Sequence, residues 1–157
     1  MKTASLNEIK KELHQLSEPL LRELSMRMAK YKKENKELLG YLLFEAQDEA
    51  SYIRSVKAEM DIQFTELHKN NLYLTTKAIR KALKITNKYC KYSGIKQTEV
   101  ELLIYFCSQL KSSGIPFHRS TMLVNLYNRQ LDKINKAINK LHEDLQFDYR
   151  QELEKIA

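Results

Sequence analysis

The chain has 157 residues, a formal net charge of +7, 43% apolar and 30% charged residues, three glycines and two prolines. That length fits one ordinary domain that buries a core without staples, and that balance excludes a disordered chain. So few turn residues exclude a β-rich domain, whose tight turns draw on Gly, Pro and Asn-Gly, and favour long helices.

Taken in chain order, Ser5-Leu6-Asn7-Glu8 has the spacing of a capping box and opens a short helix to about residue 16. Ser17 caps the next, with Glu18 and Pro19 in the first turn, where a missing N–H costs little. Leu20, Leu21, Leu24, Met28 and Tyr31 recur there at helical period. The polar stretch 32–36 breaks it. Residues 37–47 are apolar nearly all round, through Leu38, Leu39, Tyr41, Leu42, Leu43 and Phe44, which predicts a short, central, covered helix.

Asp48 caps a long helix over about 49–68, with Ile53, Val56, Met60, Phe64 and Leu67 on one stripe, and Asn70-Asn71 ends it. Residues 72–92 form the next helix, which stops at Ser93-Gly94, where Gly suits a left-handed cap. Thr98-Glu99-Val100-Glu101 reads as a second capping box, opening 99–112 with Leu102, Leu103, Tyr105, Phe106 and Leu110. Gly114-Ile115-Pro116 is the clearest loop. A last long run starts at Arg119 or Ser120, passes residue 141 and reaches Ile156, with or without a break near Glu143. The reading is all-α: a single helical domain over 1–157 of seven or eight antiparallel-packed helices, as a short HEAT-like α-solenoid or a helical bundle.

Charge is not spread evenly. Between Glu66 and Glu99 there is no acidic residue, yet that window holds eight basic ones: Lys69, Lys77, Arg80, Lys81, Lys84, Lys88, Lys91 and Lys96. The remainder holds 19 basic and 20 acidic residues. Lys77, Lys81, Lys84, Lys88 and Lys91 are spaced 4, 3, 4, 3. At about 100° per residue they share roughly 80° of arc, with Arg80 beside them. Like charges at i,i+4 repel by a few tenths of a kcal/mol per pair, and this face has no Glu to relieve them. It suits a polyanion: nucleic acid, an acidic protein face or anionic lipid. Alternatively, Glu45, Asp48, Glu49 and Glu59 cover it from neighbouring helices. A second, weaker ridge repeats the spacing in Arg129, Lys133, Lys136 and Lys140, with Asp132 at its edge. Tyr73 and Tyr31 are free to stack bases, while Tyr89 falls on the apolar arc.

Chemistry-bearing motifs are absent. There is no HExxH, CxxC, Gly-rich phosphate loop, GxSxG or dinucleotide fingerprint, and no metal or cofactor is expected. His14, His68, His118 and His142 are scattered. Cys107 and His118 could meet as a nucleophile pair only through the fold. Cys90 and Cys107 read as buried free thiols, and the first thirteen residues carry no apolar leader, so the expected location is cytoplasmic. No apolar run is long enough to span a membrane.

The segments KYKKENKELLGYLLFEAQDEASYI from Lys30 and NKYCKYSGIKQTEVELLIYF from Asn87 resemble a small family of all-helical bacterial proteins without an assigned activity. The resemblance implies a helical fold and carries over no catalytic residue. More loosely the pattern resembles HEAT-like repeats, which serve as interaction scaffolds. Some HEAT-like proteins are DNA glycosylases with Trp-containing pockets, and this chain has no Trp. The functional expectation is a non-catalytic interaction module for a macromolecular partner, with nucleic-acid binding through residues 72–92 as the alternative and a small enzyme third.

Overall fold

Helix starts follow the cap residues. Ser5 Oγ accepts from the Glu8 N–H at 3.3 Å, and the Glu8 carboxylate accepts from the Ser5 N–H at 2.7 Å, so the capping box opens α1 (Leu6–Gln15). These bonds hold the Glu8 carboxyl below its ordinary value. Ser17 precedes α2 (Glu18–Tyr31) without a side-chain cap bond, and Pro19 lies in its first turn. A single extended residue, Lys32, separates α2 from α3 (Lys33–Gly40), so the polar stretch interrupts the helix for one residue rather than five. The Asn35 amide donates to the Met28 carbonyl at 2.8 Å across that corner. A π-helical turn, Tyr41–Glu45, continues from α3.

The computed structural model describes residues 2–157, which form eight α-helices and no strand. The chain divides into two compact units, residues 1–44 and 45–157. No Ser- or Pro-rich linker marks this division; it falls inside an apolar run. In the first unit α2 packs on α3. None of α1, α2 or α3 has a buried residue, and Tyr41 is the one buried side chain among the described residues of this unit. The central helix expected at 37–47 is therefore not central: Leu42, Leu43 and Phe44 are 57%, 58% and 74% exposed. All-round apolarity shows that a helix could be covered on every side. It does not supply the cover.

The second unit holds α4 (Glu49–Thr65), α5 (Leu72–Ser93), α6 (Lys96–Ser112), α7 (Thr121–Ile138) and α8 (Glu143–Ile156). Asp48, Asn71 and Ser120 cap α4, α5 and α7 with side-chain oxygens. Asn71 thus starts a helix as well as ending a loop. Gly94 closes α5 at φ 68°, a left-handed position that a side chain would strain. The second capping box does not form. α6 begins two residues before Thr98, at Lys96, and the Thr98 hydroxyl donates instead to Glu49 Oε1 at 2.6 Å. The final run breaks over residues 139–142, between the end of α7 at Ile138 and Glu143, and His142 Nδ1 accepts from the Asp144 N–H at 3.4 Å to start α8 separately.

Helix α6 is the hub, touching α4, α5, α7 and α8. Its Val100, Leu102, Leu103, Phe106, Cys107 and Leu110 are wholly buried, which makes it apolar nearly all round and places it where a bundle needs such a helix. α4, α5, α7 and α8 all pack on α6, and Lys133 Nζ of α7 reaches α5, donating to Asn87 Oδ1 at 2.6 Å. The unit has two outer faces that matter below: one built by α4, α6 and α8, the other by α5 and α7.

Candidate polyanion-binding face

Thr75, Ile79, Ala82, Thr86 and Cys90 form the buried side of α5. At about 100° per residue, Lys77, Arg80, Lys81, Lys84 and Lys91 project from the opposite side, and all five are exposed. No carboxylate among the described residues lies within ion-pair distance of any of them. Three of the four acids that might have covered the ridge are engaged elsewhere. Glu49 accepts from the Ser93 and Thr98 hydroxyls, Glu59 accepts from the Tyr89 hydroxyl at 2.6 Å, and Asp48 caps α4. The bonds of Glu49 and Glu59 tie α4 to α5 and α6, that of Asp48 stays within the start of α4, and Glu45 is exposed and forms no ion pair with the ridge.

Lys88 leaves the set. It is half-buried, with Nζ 5.1 Å from the Tyr89 ring centroid and 5.8 Å from that of Tyr92, a cation–π seat. Spacing alone placed it on the ridge; the two tyrosines beside it draw it away. Tyr73, in the first turn of α5, is 77% exposed on the basic side, and Tyr31 is 75% exposed in the other unit. Tyr89 is half-buried, as its position on the apolar arc suggested.

The second ridge is thinner than its spacing implied. Lys133 is half-buried and donates to Asn87 while pairing with Glu99 at 3.2 Å. Lys140 lies beyond the end of α7. Arg129 and Lys136 remain exposed on the helix. Glu99 is held below the ordinary carboxylate value: burial alone would raise it, and the hydrogen bonds and charges of Lys96 and Lys133 outweigh that effect.

What the spacing could not reveal is that the two ridges share a groove. Arg80 and Leu83 of α5 face Met122, Asn125, Leu126, Arg129 and Gln130 of α7 across a cleft of about 460 Å³. The signal was in the sequence. Met122, Leu126, Arg129 and Lys133 follow a 4, 3, 4 spacing, so the basic stripe of α7 begins as an apolar one. Which helix α7 lies beside is a tertiary fact.

The α4–α6–α8 face is built differently. Lys57 Nζ pairs with Glu101 at 2.6 Å and sits over the Tyr105 ring, and the Tyr105 hydroxyl donates to Asp61 at 2.6 Å. Clefts of about 490 and 380 Å³ there are lined by residues of both signs, including Arg54, Lys57, Glu49 and Glu101 in one and Lys57, Glu101 and Glu152 in the other.

For nucleophilic chemistry the thiols are ill placed. Burial pushes both Cys90 and Cys107 up to about 12, so they stay protonated at neutral pH. Cys107 is wholly buried whereas His118 is exposed, which separates the environments of that pair. Among the described residues no group of three or more His, Cys, Asp or Glu side chains is placed to hold a metal ion. No helix of the described residues is long and apolar enough to cross a membrane. Comparison of the chain with protein-family models, curated proteins and solved structures finds no match to any of them.

Proposed function

We propose that the chain is a non-catalytic helical interaction module of the cytoplasm, whose second unit binds a polyanionic macromolecule through the exposed side of α5. The observation that carries this reading is the row Lys77, Arg80, Lys81, Lys84 and Lys91, exposed and without an ion-pair partner. An ordinary solvated helix face mixes signs. This one keeps its mutual repulsion, a small standing cost that a bound polyanion would remove. The two buried, protonated thiols fit a reducing compartment.

The test is a salt titration with labelled heparin and a labelled 12-nucleotide strand. Phosphate contacts to a single strand predict a log–log salt slope near −0.7 for each phosphate neutralised. The variant Lys77→Glu/Lys81→Glu/Lys84→Glu should abolish binding while its urea midpoint stays close to that of the parent. Binding that ignores the reversal, or no binding to either probe at 50 mM salt, overturns the reading. Lys88 is left out of the variant because its seat over Tyr89 and Tyr92 is structural.

A second reading, a protein partner, is favoured by the first unit, where Leu6, Met28, Leu42, Leu43 and Phe44 are each more than half exposed. Exposed large apolar side chains mark association surfaces where they form a contiguous patch. A protein captured in stoichiometric amounts by the parent and lost by Leu42→Glu/Phe44→Glu, with heparin binding intact, would assign that role to residues 1–44.

A further inference from the structure

The groove between α5 and α7 differs from the ridge beside it in having apolar walls. Leu83, Met122 and Leu126 line it, and Arg80 and Arg129 stand one on each helix. A purely electrostatic landing surface has no use for such walls. Nor would heparin or polyphosphate, which offer charge without apolar surface. A ligand that uses both must alternate anionic and flat apolar groups along one chain. Gln130 adds a third feature. It is 8% exposed, its amide N–H donates to the Leu126 carbonyl at 3.3 Å, and its Oε1 has no hydrogen-bond partner. Gln130 thus lines the groove with an amide whose oxygen is buried and unpartnered, and a small turn of that side chain would let a ligand N–H complete it.

Size and shape narrow the class. α5 and α7 both pack on α6 rather than closely on each other, which leaves an open furrow lined from both helices. Its volume of about 460 Å³ falls within the range of about 300–1,000 Å³ usual for small-ligand sites. In a duplex the bases are stacked inside, and extracting one costs a few kcal/mol. In a single strand they are already open to apolar and aromatic surfaces. Arg forks take phosphates in bidentate fashion, and the exposed Tyr73 lies on the same side of α5, seven residues before Arg80, or about 10 Å along the helix. An acidic peptide could also meet two arginines. The lysines continue along α5 for fourteen residues, Lys77 to Lys91, or about 21 Å, and a charge at every unit of the ligand is the rule for a nucleic-acid strand and the exception for a peptide.

Resting on the polyanion reading above, we propose that this groove is the nucleotide subsite of a single-stranded nucleic-acid binding face. Backbone phosphates lie on Arg80 and Arg129, one unpaired base lies against Leu83, Met122 and Leu126, and its N–H edge meets the Gln130 amide. The remaining lysines of α5 track the strand without reading its sequence.

Four probes on the full chain at 50 mM salt test this: a 12-nucleotide single strand, an abasic strand of equal length and charge, the corresponding duplex, and heparin. The base-bearing strand should bind at least tenfold tighter than the abasic strand and the duplex. Arg80→Ala/Arg129→Ala should flatten the salt slope for the single strand by about 1.4, two phosphates at roughly 0.7 each. Met122→Gln, which removes the apolar wall without adding charge at a position 54% exposed and so tolerant of substitution, should weaken the base-bearing strand at least tenfold and change heparin binding little. Equal binding of abasic and base-bearing strands overturns the subsite, as does equal weakening of strand and heparin by Met122→Gln. Displacement of the strand by an acidic peptide at equal charge concentration would overturn it in favour of a protein ligand. In those three cases the basic face stands. If neither the strand nor heparin binds, the basic face falls as well.

Discussion

The two outer faces of the second unit share one core and treat their charges in opposite ways. On the face built by α4, α6 and α8, Lys57 pairs with Glu101 and Tyr105 donates to Asp61. On the face built by α5 and α7, Lys77, Arg80, Lys81, Lys84 and Lys91 have no such partner. Both faces have grooves of similar volume. What distinguishes the faces is sign: α4, α6 and α8 supply both charges and so can pair them, whereas α5 has no acid of its own. Salt-bridged groups have satisfied their fields internally, whereas unpaired ones leave theirs to act on an approaching partner.

The largest effect breaks the comparison by removing what the faces share. Phe106 is wholly buried on α6 and stacks edge-on with Phe64, centroid to centroid 5.5 Å. Phe106→Ala should cost about 3–5 kcal/mol in urea unfolding, and both faces should be lost together. If instead heparin binding survives in a state that has lost the core, the basic side of α5 acts as an isolated charged helix and the fold is incidental to it. Thiol labelling gives the companion readout. Cys90 and Cys107 should resist modification in the parent and become reactive in the variant, since burial is what holds them protonated.

A smaller effect lies at the seam where the basic face is tied to the core. Glu99 takes Lys96 at 2.6 Å and Lys133 at 3.2 Å, and its carboxyl is lowered in the folded protein despite its burial. A carboxyl lowered on folding contributes stability that is fully present above its unfolded value and is lost as pH falls through the folded one. Its two lysines are 42% and 48% exposed, so solvent screening limits the contribution to about 1 kcal/mol or less. Glu99→Gln should thus lower the urea midpoint at pH 7 and leave it nearly unchanged at pH 3. Equal destabilisation at both pH values would show that Glu99 acts through packing rather than charge.

The local structure was legible to the extent that it depends on neighbours in sequence. Ser5, Asp48, Gly94 and Ser120 act at the termini their chemistry suits, and the periodicity of α5 put its lysines opposite its core. The failures are tertiary. Thr98 has the spacing of a cap residue and is spent on Glu49, a partner 49 residues away. Residues 37–47 read as central because they are apolar all round, a property that α6 shares, and only α6 has helices on every side. Lys88 and Lys133 kept the ridge spacing but were drawn to Tyr89 and Tyr92 and to Asn87 and Glu99. The groove that pairs Arg80 with Arg129 was beyond reach for the same reason, since no periodicity within α5 or α7 says that they are neighbours.

The smallest effect sharpens the comparison most, because it turns on sign. Lys57→Gln removes a pair whose side chains are 27% and 30% exposed, together with the cation–π contact to Tyr105, and should cost about 0.5–1 kcal/mol. Lys81→Gln removes a charge flanked by Lys77 four residues before and Lys84 three residues after, and relief of like-charge repulsion should stabilise the helix by about 0.2–0.5 kcal/mol. The same substitution on two faces of one unit should therefore move the urea midpoint in opposite directions. Added salt should shrink both shifts, the gain at Lys81 more than the loss at Lys57, because the lysines of α5 are the more exposed. A loss at Lys81 comparable to that at Lys57 would mean that a partner holds this lysine in solution, and the basic face would then be a paired surface like the other.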